Sequence, residues 1–401
     1  MTVRSPARRL RGGLAASIVL LALVASAACS PAPASPVSAT MSATPSATPY
    51  LSKPTGPHPV GTTSVYLKDT SRPDPWVPRQ KARELMVTLW YPAASPGRRR
   101  AHYMTPKESE LLLRGEGVTG VPYDALSRVR TNAFNDAKPA GRRHGLPLVV
   151  LSPGFQVTRK TLSGLAEDLA SHGYVVAGID HTYENFGEAF PDGRITTCVA
   201  CTAQGSEQFG TKVMQVRAAD VSFVIDELTG PLPAWSGASL IDPSRIAMAG
   251  HSLGGASAIA AMLKDSRVRA GIDMDGTTIA PIPNSGLPRP FLFLGTQANH
   301  SPGGPDTSWD RDWKLLTGWK RWLVVAGAAH GSVTDLGLLN DQLGLGHNTA
   351  LPGTRAMQIT RRYVEAFFDL HLHDQPQPLL NKPSKRYPEV KLCSPGANTC
   401  Q

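Results

Sequence analysis

The sequence predicts an α/β fold in which helices flank a mostly parallel central sheet. From residue 148 onwards, short and continuously apolar segments alternate with amphipathic helical segments, the pattern of a sheet that is covered on both faces. The chain has 401 residues, of which 41% are hydrophobic and 18% charged. This composition allows one large core and therefore predicts a single catalytic domain with additional terminal segments.

The predicted strands are apolar runs of three to seven residues. They are Ser64–Leu67, Leu85–Tyr91, Leu148–Leu151, Val175–Ile179, Arg245–Ala249, Ala270–Ile272, Phe291–Leu294 and Leu323–Val325. Apolar residues at helical spacing predict the helices, as at Val221, Val224, Ile225 and Leu228. The other predicted helices are Pro106–Arg114, Lys160–His172, Ala256–Lys264 and Arg355–Leu370.

The N-terminal region has the pattern of an export signal followed by a spacer. Residues 1–29 contain a basic segment, the apolar run Leu14–Val24 and then small residues, which predicts a signal peptide. The end of the signal peptide has two interpretations. One is cleavage after Ala27, and the other is a lipobox that would lipidate Cys29 and anchor the protein to the cell membrane. Residues 30–53 predict a disordered Ser/Pro/Ala/Thr linker, 54–373 the catalytic domain and 374–401 a tail. We therefore expect a secreted or extracytoplasmic protein.

Four further cysteines fit an oxidising compartment. Cys198 and Cys201 form one close pair, and Cys393 and Cys400 form another. They predict two disulfides, which either close locally or link the tail to the body. A zinc site is the alternative, but no histidine lies near either pair in the sequence.

The formal charge of +10 does not indicate a nucleic-acid partner. Several of the arginines belong to the predicted signal, and the basic runs Arg98–Arg100 and Arg142–Arg143 are short. The charge is compatible with weak attraction to an anionic surface, including peripheral association with a membrane.

A nucleophile motif follows the strand Arg245–Ala249. Gly250-His251-Ser252-Leu253-Gly254 has the form G-x-S-x-G and lies between a predicted strand and a predicted helix, as in the α/β-hydrolase fold. The tight turn exposes the serine hydroxyl, and the two glycines allow the strand and the helix to approach each other. Ser252 is therefore the predicted nucleophile; the alternative is a Gly-rich turn with an idle serine.

His330 is the predicted general base, because a serine hydroxyl needs a proton acceptor within hydrogen-bond reach. It follows the last predicted parallel strand, in a loop of small residues. For the acid that orients it, the pattern offers Asp275, Asp273 and Asp306, and we favour Asp275 because it lies at the end of a strand.

Two backbone N–H groups are predicted to bind the oxyanion. One belongs to Leu253, the residue after the nucleophile, and the other to Phe155 in the loop Ser152-Pro153-Gly154-Phe155. An ordinary Pro-Gly turn is the alternative for this loop. Such a site needs no metal or organic cofactor, and a pair such as His371 and His373 is too small to make a metal site.

Together these segments resemble the platelet-activating-factor acetylhydrolases of the plasma type, within the α/β-hydrolases. The likeness covers Pro54–Leu372, including the early acid, 23 residues after Ser252 and 55 before His330. The other matching segments are Gly56–Gly61, Leu89–Pro92, Leu148–Phe155, Asp168–Gly173 and Gln215–Asp220. In this family a His-Gly pair usually stands where this chain has Pro153-Gly154, and only Leu111–Leu113 suggests a membrane-contact helix.

The resemblance implies a calcium-independent serine esterase that removes short or oxidised acyl chains from phospholipids. A small-molecule or lipid ester is then the expected substrate. Two alternatives stay open: a general carboxylesterase or cutinase-like polyester hydrolase, and a surface binding protein that has lost catalysis.

Overall fold

Six parallel strands form the centre of the molecule in the computed structural model, which describes residues 48–345 and 349–401. The strands are β1 Val60–Asp69, β2 Arg83–Pro92, β3 Arg100–His102, β4 Arg130–Asn135, β5 Leu146–Ser152, β6 Val175–Asp180, β7 Glu188–Ala189, β8 Ile195–Thr196, β9 Ile241–His251, β10 Val268–Met274, β11 Phe291–Thr296, β12 Lys320–Val325, β13 Val390–Ser394 and β14 Thr399–Cys400. The helices are α1 Pro106–Gly115, α2 Ser163–Ser171, α3 Phe209–Thr229, α4 Leu253–Lys264, α5 Gln297–His300, α6 Ser308–Trp313, α7 Asp335–Leu343 and α8 Gly353–Leu372.

The main sheet has the order β14-β13-β12-β11-β10-β9-β5-β6-β2-β1-β4-β3. Its centre from β6 to β12 is parallel, and antiparallel pairs β6·β2, β2·β1 and β12·β13 extend it on both sides. A separate hairpin is formed by β7 and β8. The predicted mostly parallel sheet is therefore confirmed, as the centre of an α/β-hydrolase fold.

Helices cover both faces of this sheet. Because side chains alternate along each strand, every central strand contributes side chains to the core on each face. On β5, Val149 and Leu151 face the core that contains α2 and α8, whereas Leu148 and Val150 face the core that contains α3 and α4. All four side chains are buried. Strands that are apolar on both sides are therefore necessary here, and this explains the uninterrupted apolar runs in the sequence.

Two predicted boundaries differ from the structure. Residues 374–401, predicted as a tail, contribute β13 and β14 to the main sheet, and Leu392 pairs with Leu323 of β12. Residues 48–53 of the predicted linker also belong to the folded unit, since Leu51 is buried and its N–H donates to Arg130 O at 2.9 Å. The predicted signal, Cys29 and most of the linker lie outside the described residues.

The disulfides close locally. Cys198 is bonded to Cys201, and Cys393 to Cys400 across the β13·β14 pair. Each bond therefore fastens a turn, and neither links the C-terminal segment to the rest of the domain.

No helix within residues 48–345 and 349–401 has the length and apolar character that a bilayer crossing requires. The candidate membrane-contact segment Leu111–Leu113 lies in α1. There, Leu112 and Leu113 are buried in a small core with Tyr103 and Leu126. These two leucines are therefore core residues rather than part of a membrane-binding surface.

Candidate active site

Ser252 occupies a strained turn between β9 and α4. Its φ is +56°, a region that side chains other than glycine rarely adopt, and its N–H donates to Met274 O at 2.9 Å. A Cβ added to Gly250 would lie 2.2 Å from the carbonyl group of Gly254. The two glycines of the motif therefore permit the close strand-to-helix approach that the sequence predicts.

Asp275 and His330 are brought together from two different strand ends. Asp275 follows β10 with φ +59°, and His330 lies in the loop after β12. His330 Nδ1 is 2.7 Å from Asp275 Oδ2, and Thr296 N–H donates to Asp275 Oδ1 at 2.6 Å. The Asp275 side chain is fully buried, whereas 53% of the His330 side chain is exposed. A carboxylate at Nδ1 fixes the proton there and leaves Nε2 as the basic atom.

A second histidine, His300, lies against the same carboxylate. His300 Nε2 is 3.4 Å from Asp275 Oδ1, and the His300 ring stacks on Trp309 with centroids 4.1 Å apart. Burial would raise the pKa of Asp275, but the hydrogen bond from His330, the nearby His300 and the N–H of Thr296 lower that pKa below its usual value. Asp275 is therefore held as an anion. His300 is not among the predicted site residues, although its position soon after β11 is a signal for proximity to the site.

The two other candidate acids have different partners. Asp273 is fully buried, accepts the Gly276 N–H at 2.9 Å and has a pKa raised well above the usual value by burial. Asp306 accepts the Ser308 N–H at 2.8 Å and the hydroxyl of Thr277. Of the three aspartates, Asp275 is the one whose carboxylate contacts the ring of His330.

His251 supports the loop that carries His330. Its Nε2–H donates to the backbone carbonyl of His330 at 2.8 Å, and the two rings are 4.5 Å apart. Burial and the neighbouring His330 lower the pKa of His251 to about 3, so His251 is neutral at pH 7. This contact connects the residue before the nucleophile with the predicted base.

The predicted oxyanion donors lie where two segments meet beside Ser252. Leu253 is the first residue of α4, and Phe155 is in the loop after β5. A Cβ at Gly154 would be 3.4 Å from Ser252 Cβ, and one at Gly254 would be 2.0 Å from Ser152 O. Among the hydrogen bonds between described residues, none has the N–H of Leu253 or of Phe155 as its donor. Both N–H groups, beside the nucleophile, are therefore without a partner in the part of the chain that the structure describes.

An open cleft of about 760 Å³ contains Ser252, Asp275 and His330. Its remaining wall is mainly polar: Thr277, Thr278, Asn299, His300, Asp306, Thr307, Ser308 and Arg311, with Pro305 and Leu253. Next to the oxyanion loop, an apolar cluster includes Phe155, Phe209 and Ile279, and the Phe155 and Phe209 rings are 5.0 Å apart. Leu253, the residue after the nucleophile, lines the cleft and also packs against this apolar cluster.

No group of three or more metal-ligating side chains occurs among residues 48–345 and 349–401. His371 and His373 belong to different packing environments. The ring of His371 lies 4.6 Å from that of Trp319, and the ring of His373 lies 5.0 Å from that of Tyr174. This pair therefore serves packing at the end of α8.

Comparison with known proteins finds similar chains that are named as esterases or acetylhydrolases. A family model described as platelet-activating factor acetylhydrolase, isoform II, matches residues 44–186 and 210–378. A probable 1-alkyl-2-acetylglycerophosphocholine esterase of Arthroderma benhamiae is 28% identical over 413 residues, which cover 93% of this chain and 97% of that protein. The platelet-activating factor acetylhydrolase of Bos taurus is 25% identical over 60% of each chain.

A solved structure is more similar in sequence. The ferulic acid esterase from Streptomyces cinnamoneus is 43% identical, and the two structures superpose with a TM-score of 0.77. The superposition covers 87% of this chain and 100% of the esterase.

Proposed function

This chain belongs to the platelet-activating factor acetylhydrolase family of esterases, and we propose that it hydrolyses carboxylic esters through Ser252, His330 and Asp275. The observation that carries the proposal is the 2.7 Å contact between His330 Nδ1 and Asp275 Oδ2, at a cleft that also contains the strained Ser252. An ordinary surface histidine would not require a buried carboxylate that is held as an anion.

In the proposed reaction, Ser252 Oγ attacks the ester carbonyl while His330 Nε2 takes its proton. The N–H groups of Leu253 and Phe155 stabilise the negative charge on the carbonyl oxygen. The alcohol then leaves with the proton from His330, and the acyl group stays on Ser252. A water molecule, deprotonated by His330, attacks this acyl ester and releases the acid and the free serine. Asp275 holds the imidazole orientation throughout and stabilises its charged form.

We propose a short-acyl phospholipid of the 1-alkyl-2-acetylglycerophosphocholine type as the first substrate class. The support is the family match, together with the esterase from Arthroderma benhamiae, whose alignment covers nearly the whole of both chains. The apolar cluster of Phe155, Phe209 and Ile279 next to the oxyanion donors suits a short acyl chain. Export from the cytoplasm is part of this proposal, because two disulfides suit an oxidising compartment.

A second substrate class is an ester of an aromatic or other small carboxylic acid. The 43% identity with a ferulic acid esterase favours it, as does the polar wall of the cleft, which includes Thr278, Asn299 and Arg311. Polar groups there would bind hydroxyl-bearing substrates better than lipid chains. In this case the reaction and its residues stay the same, and only the preferred ester changes.

A fluorophosphonate probe and a substrate panel test both levels of the proposal. We expect the probe to label the wild-type protein and not Ser252→Ala, and we expect Ser252→Ala to lose ester hydrolysis. Equal labelling of both proteins, or labelling of neither, would contradict the role of Ser252. The panel compares kcat/KM for a 2-acetyl phospholipid, methyl ferulate and p-nitrophenyl esters of increasing chain length. A preference of tenfold or more for one class identifies the substrate.

A further inference from the structure

A buried polar network lies directly behind the oxyanion loop Ser152–Gln156. Arg217 of α3 donates from Nη1 to the carbonyl oxygen of Pro153 at 2.5 Å and to Ser152 Oγ at 3.2 Å. Its Nε donates to Glu184 Oε2 at 2.8 Å. The side chains of Arg217 and Glu184 are each only 1% exposed. At this depth the charged pair is shielded from solvent, and Arg217 contacts the loop.

The backbone of Glu184 also contacts the far end of the loop. The N–H of Gln156 donates to the backbone oxygen of Glu184 at 2.8 Å, and Gln156 has a φ of +74°. The carboxylate of Glu184 additionally accepts from Trp76 Nε1 at 3.0 Å. The short stretch Pro153-Gly154-Phe155 is therefore held by the Arg217 side chain at one end and by the Glu184 main chain at the other, and the ion pair connects these two residues.

A buried Ser-His-Asp array, separate from the predicted catalytic residues, belongs to the same network. Ser152 Oγ is 2.9 Å from His181 Nε2, and His181 Nδ1 is 2.8 Å from Asp220 Oδ2. Asp220 also accepts from the buried Arg83 at 2.8 Å. Burial and the nearby Arg217 lower the pKa of His181, so its neutral ring donates from Nδ1 to Asp220 and accepts the Ser152 hydroxyl at Nε2. Ser152 Oγ is then free to accept from Arg217, which gives every hydrogen bond in the array one direction.

We propose that Arg217 is a positioning residue that orients the N–H of Phe155 toward the oxyanion. Gly154 has no side chain to fix its own conformation, so the peptide that carries the Phe155 N–H is set by its neighbours. The carbonyl of Pro153 is held by Arg217 on one side, and Gln156 is held by Glu184 on the other. Pre-aligned donors stabilise a developing charge without reorganising during the reaction. The inference rests on the proposed function of Ser252 and extends it to a residue that does not contact the substrate.

Arg217→Lys tests this role, because a lysine keeps the charge but cannot hold the carbonyl and Glu184 in one forked geometry. We expect kcat to fall 10- to 100-fold with KM changed less than threefold. The rate at which diethyl p-nitrophenyl phosphate phosphorylates Ser252 should fall in parallel, since that reaction uses the same N–H groups. The matched control is Arg361→Lys. Arg361 is similarly buried and donates to the carbonyls of Ser52 and Lys53, far along the chain from the loop. We expect the control to lower Tm comparably and to leave kcat unchanged.

A kcat for Arg217→Lys within twofold of the wild type overturns the inference, as does an equal loss of kcat in Arg361→Lys. If Arg217→Lys does not accumulate as folded protein, Glu184→Gln decides: lowered kcat at unchanged KM supports the inference, and wild-type kcat overturns it. The proposed function fails separately, when Ser252→Ala keeps its esterase activity. Loss of activity in Ser252→Ala with normal kcat in Arg217→Lys therefore refutes only the positioning role.

Discussion

Asp273 and Asp275 are two residues apart, but their carboxyl groups have opposite tendencies to ionise. Asp275 receives hydrogen bonds from His330 and Thr296 and has a lowered pKa, whereas burial raises the pKa of Asp273 well above its usual value. One carboxyl group can therefore stabilise a charged imidazole, whereas burial favours the neutral form of the other. The position on the strand end, rather than residue type, makes this difference.

We expect Asp275→Asn to lower kcat by roughly 10³–10⁴-fold, because an amide cannot hold the imidazole in the required tautomer. Asp273→Asn is the matched control, since asparagine resembles the protonated acid that the structure favours there. Its kcat should stay within about threefold of the wild type. Steady-state kinetics of both variants at pH 7.5 provide the test, and a severe loss in Asp273→Asn alone would transfer the role to that residue.

At the level of single residues, a short motif and a strand-end loop mark Ser252 and His330 in the sequence, and the structure places both at one cleft. The choice of Asp275 depended on its position at the end of a strand, and the structure places its carboxylate 2.7 Å from His330 Nδ1. His300 and His251 were not predicted as supporting residues. Their contacts with Asp275 and with the His330 carbonyl arise only after β9, β11 and β12 are aligned in the sheet.

At the scale of elements, α4 and the loop after β5 are packed nearly to backbone contact. Gly254 faces the carbonyl oxygens of Ser152 and Pro153, which a Cβ would approach to 2.0 and 2.5 Å. This close contact therefore fixes the position of the start of α4 relative to the oxyanion loop. This packing sets the distance between the two N–H donors that the proposed reaction uses.

Gly254→Ala should separate these two elements. We expect a loss of about 1–3 kcal/mol in the free energy of unfolding and at least a tenfold fall in kcat. Gly331→Ala is the control beside His330, because a Cβ there meets no atom within 4 Å. It should change the free energy of unfolding by less than about 1 kcal/mol. Urea denaturation and kinetics measure both, and wild-type kcat in Gly254→Ala would contradict this account.

The parallel strands could be predicted because each is apolar on both faces, and the family named from the motifs is confirmed by the family model. Strands β3, β4, β13 and β14 were not predicted. The pattern of β13, Val390-Lys391-Leu392-Cys393-Ser394, is short and partly polar, and it follows a Pro- and Lys-rich stretch. Its strand conformation depends on pairing with β12, a tertiary contact that local propensity does not contain.

At the scale of the whole molecule, several histidines are kept neutral by burial. The pKa is lowered in His181, His300 and His373, to about 3 in His251 and to about 4 in His371. In the unfolded chain a histidine has a pKa of about 6.5. Below that pH these histidines bind more protons in the unfolded chain than in the folded one, so their contribution to stability decreases as the pH falls.

We expect the contribution of these histidines to the free energy of unfolding to be largest above pH 6.5 and to decline from there toward pH 4. For His251 alone the loss at pH 5 is on the order of 2 kcal/mol. His371→Gln should make the decline shallower, because it removes a buried group whose pKa is lowered by folding. His371 packs against Trp319 and Phe367 and is not among the residues that line the cleft. Denaturant titrations from pH 5 to 7.5 check this, and identical slopes for variant and wild type would contradict it.

Half of the His330 side chain is exposed to solvent, and this has a consequence for the size of the molecule that carries the ester. A base at the rim of an open cleft does not require the alcohol portion to be enclosed. An ester group that projects from a polysaccharide, a polymer chain or a lipid aggregate can then reach Ser252 while the rest of the large substrate stays outside the cleft. We therefore expect selectivity to reside in the few atoms next to the scissile bond, and the mass of the leaving group to matter little.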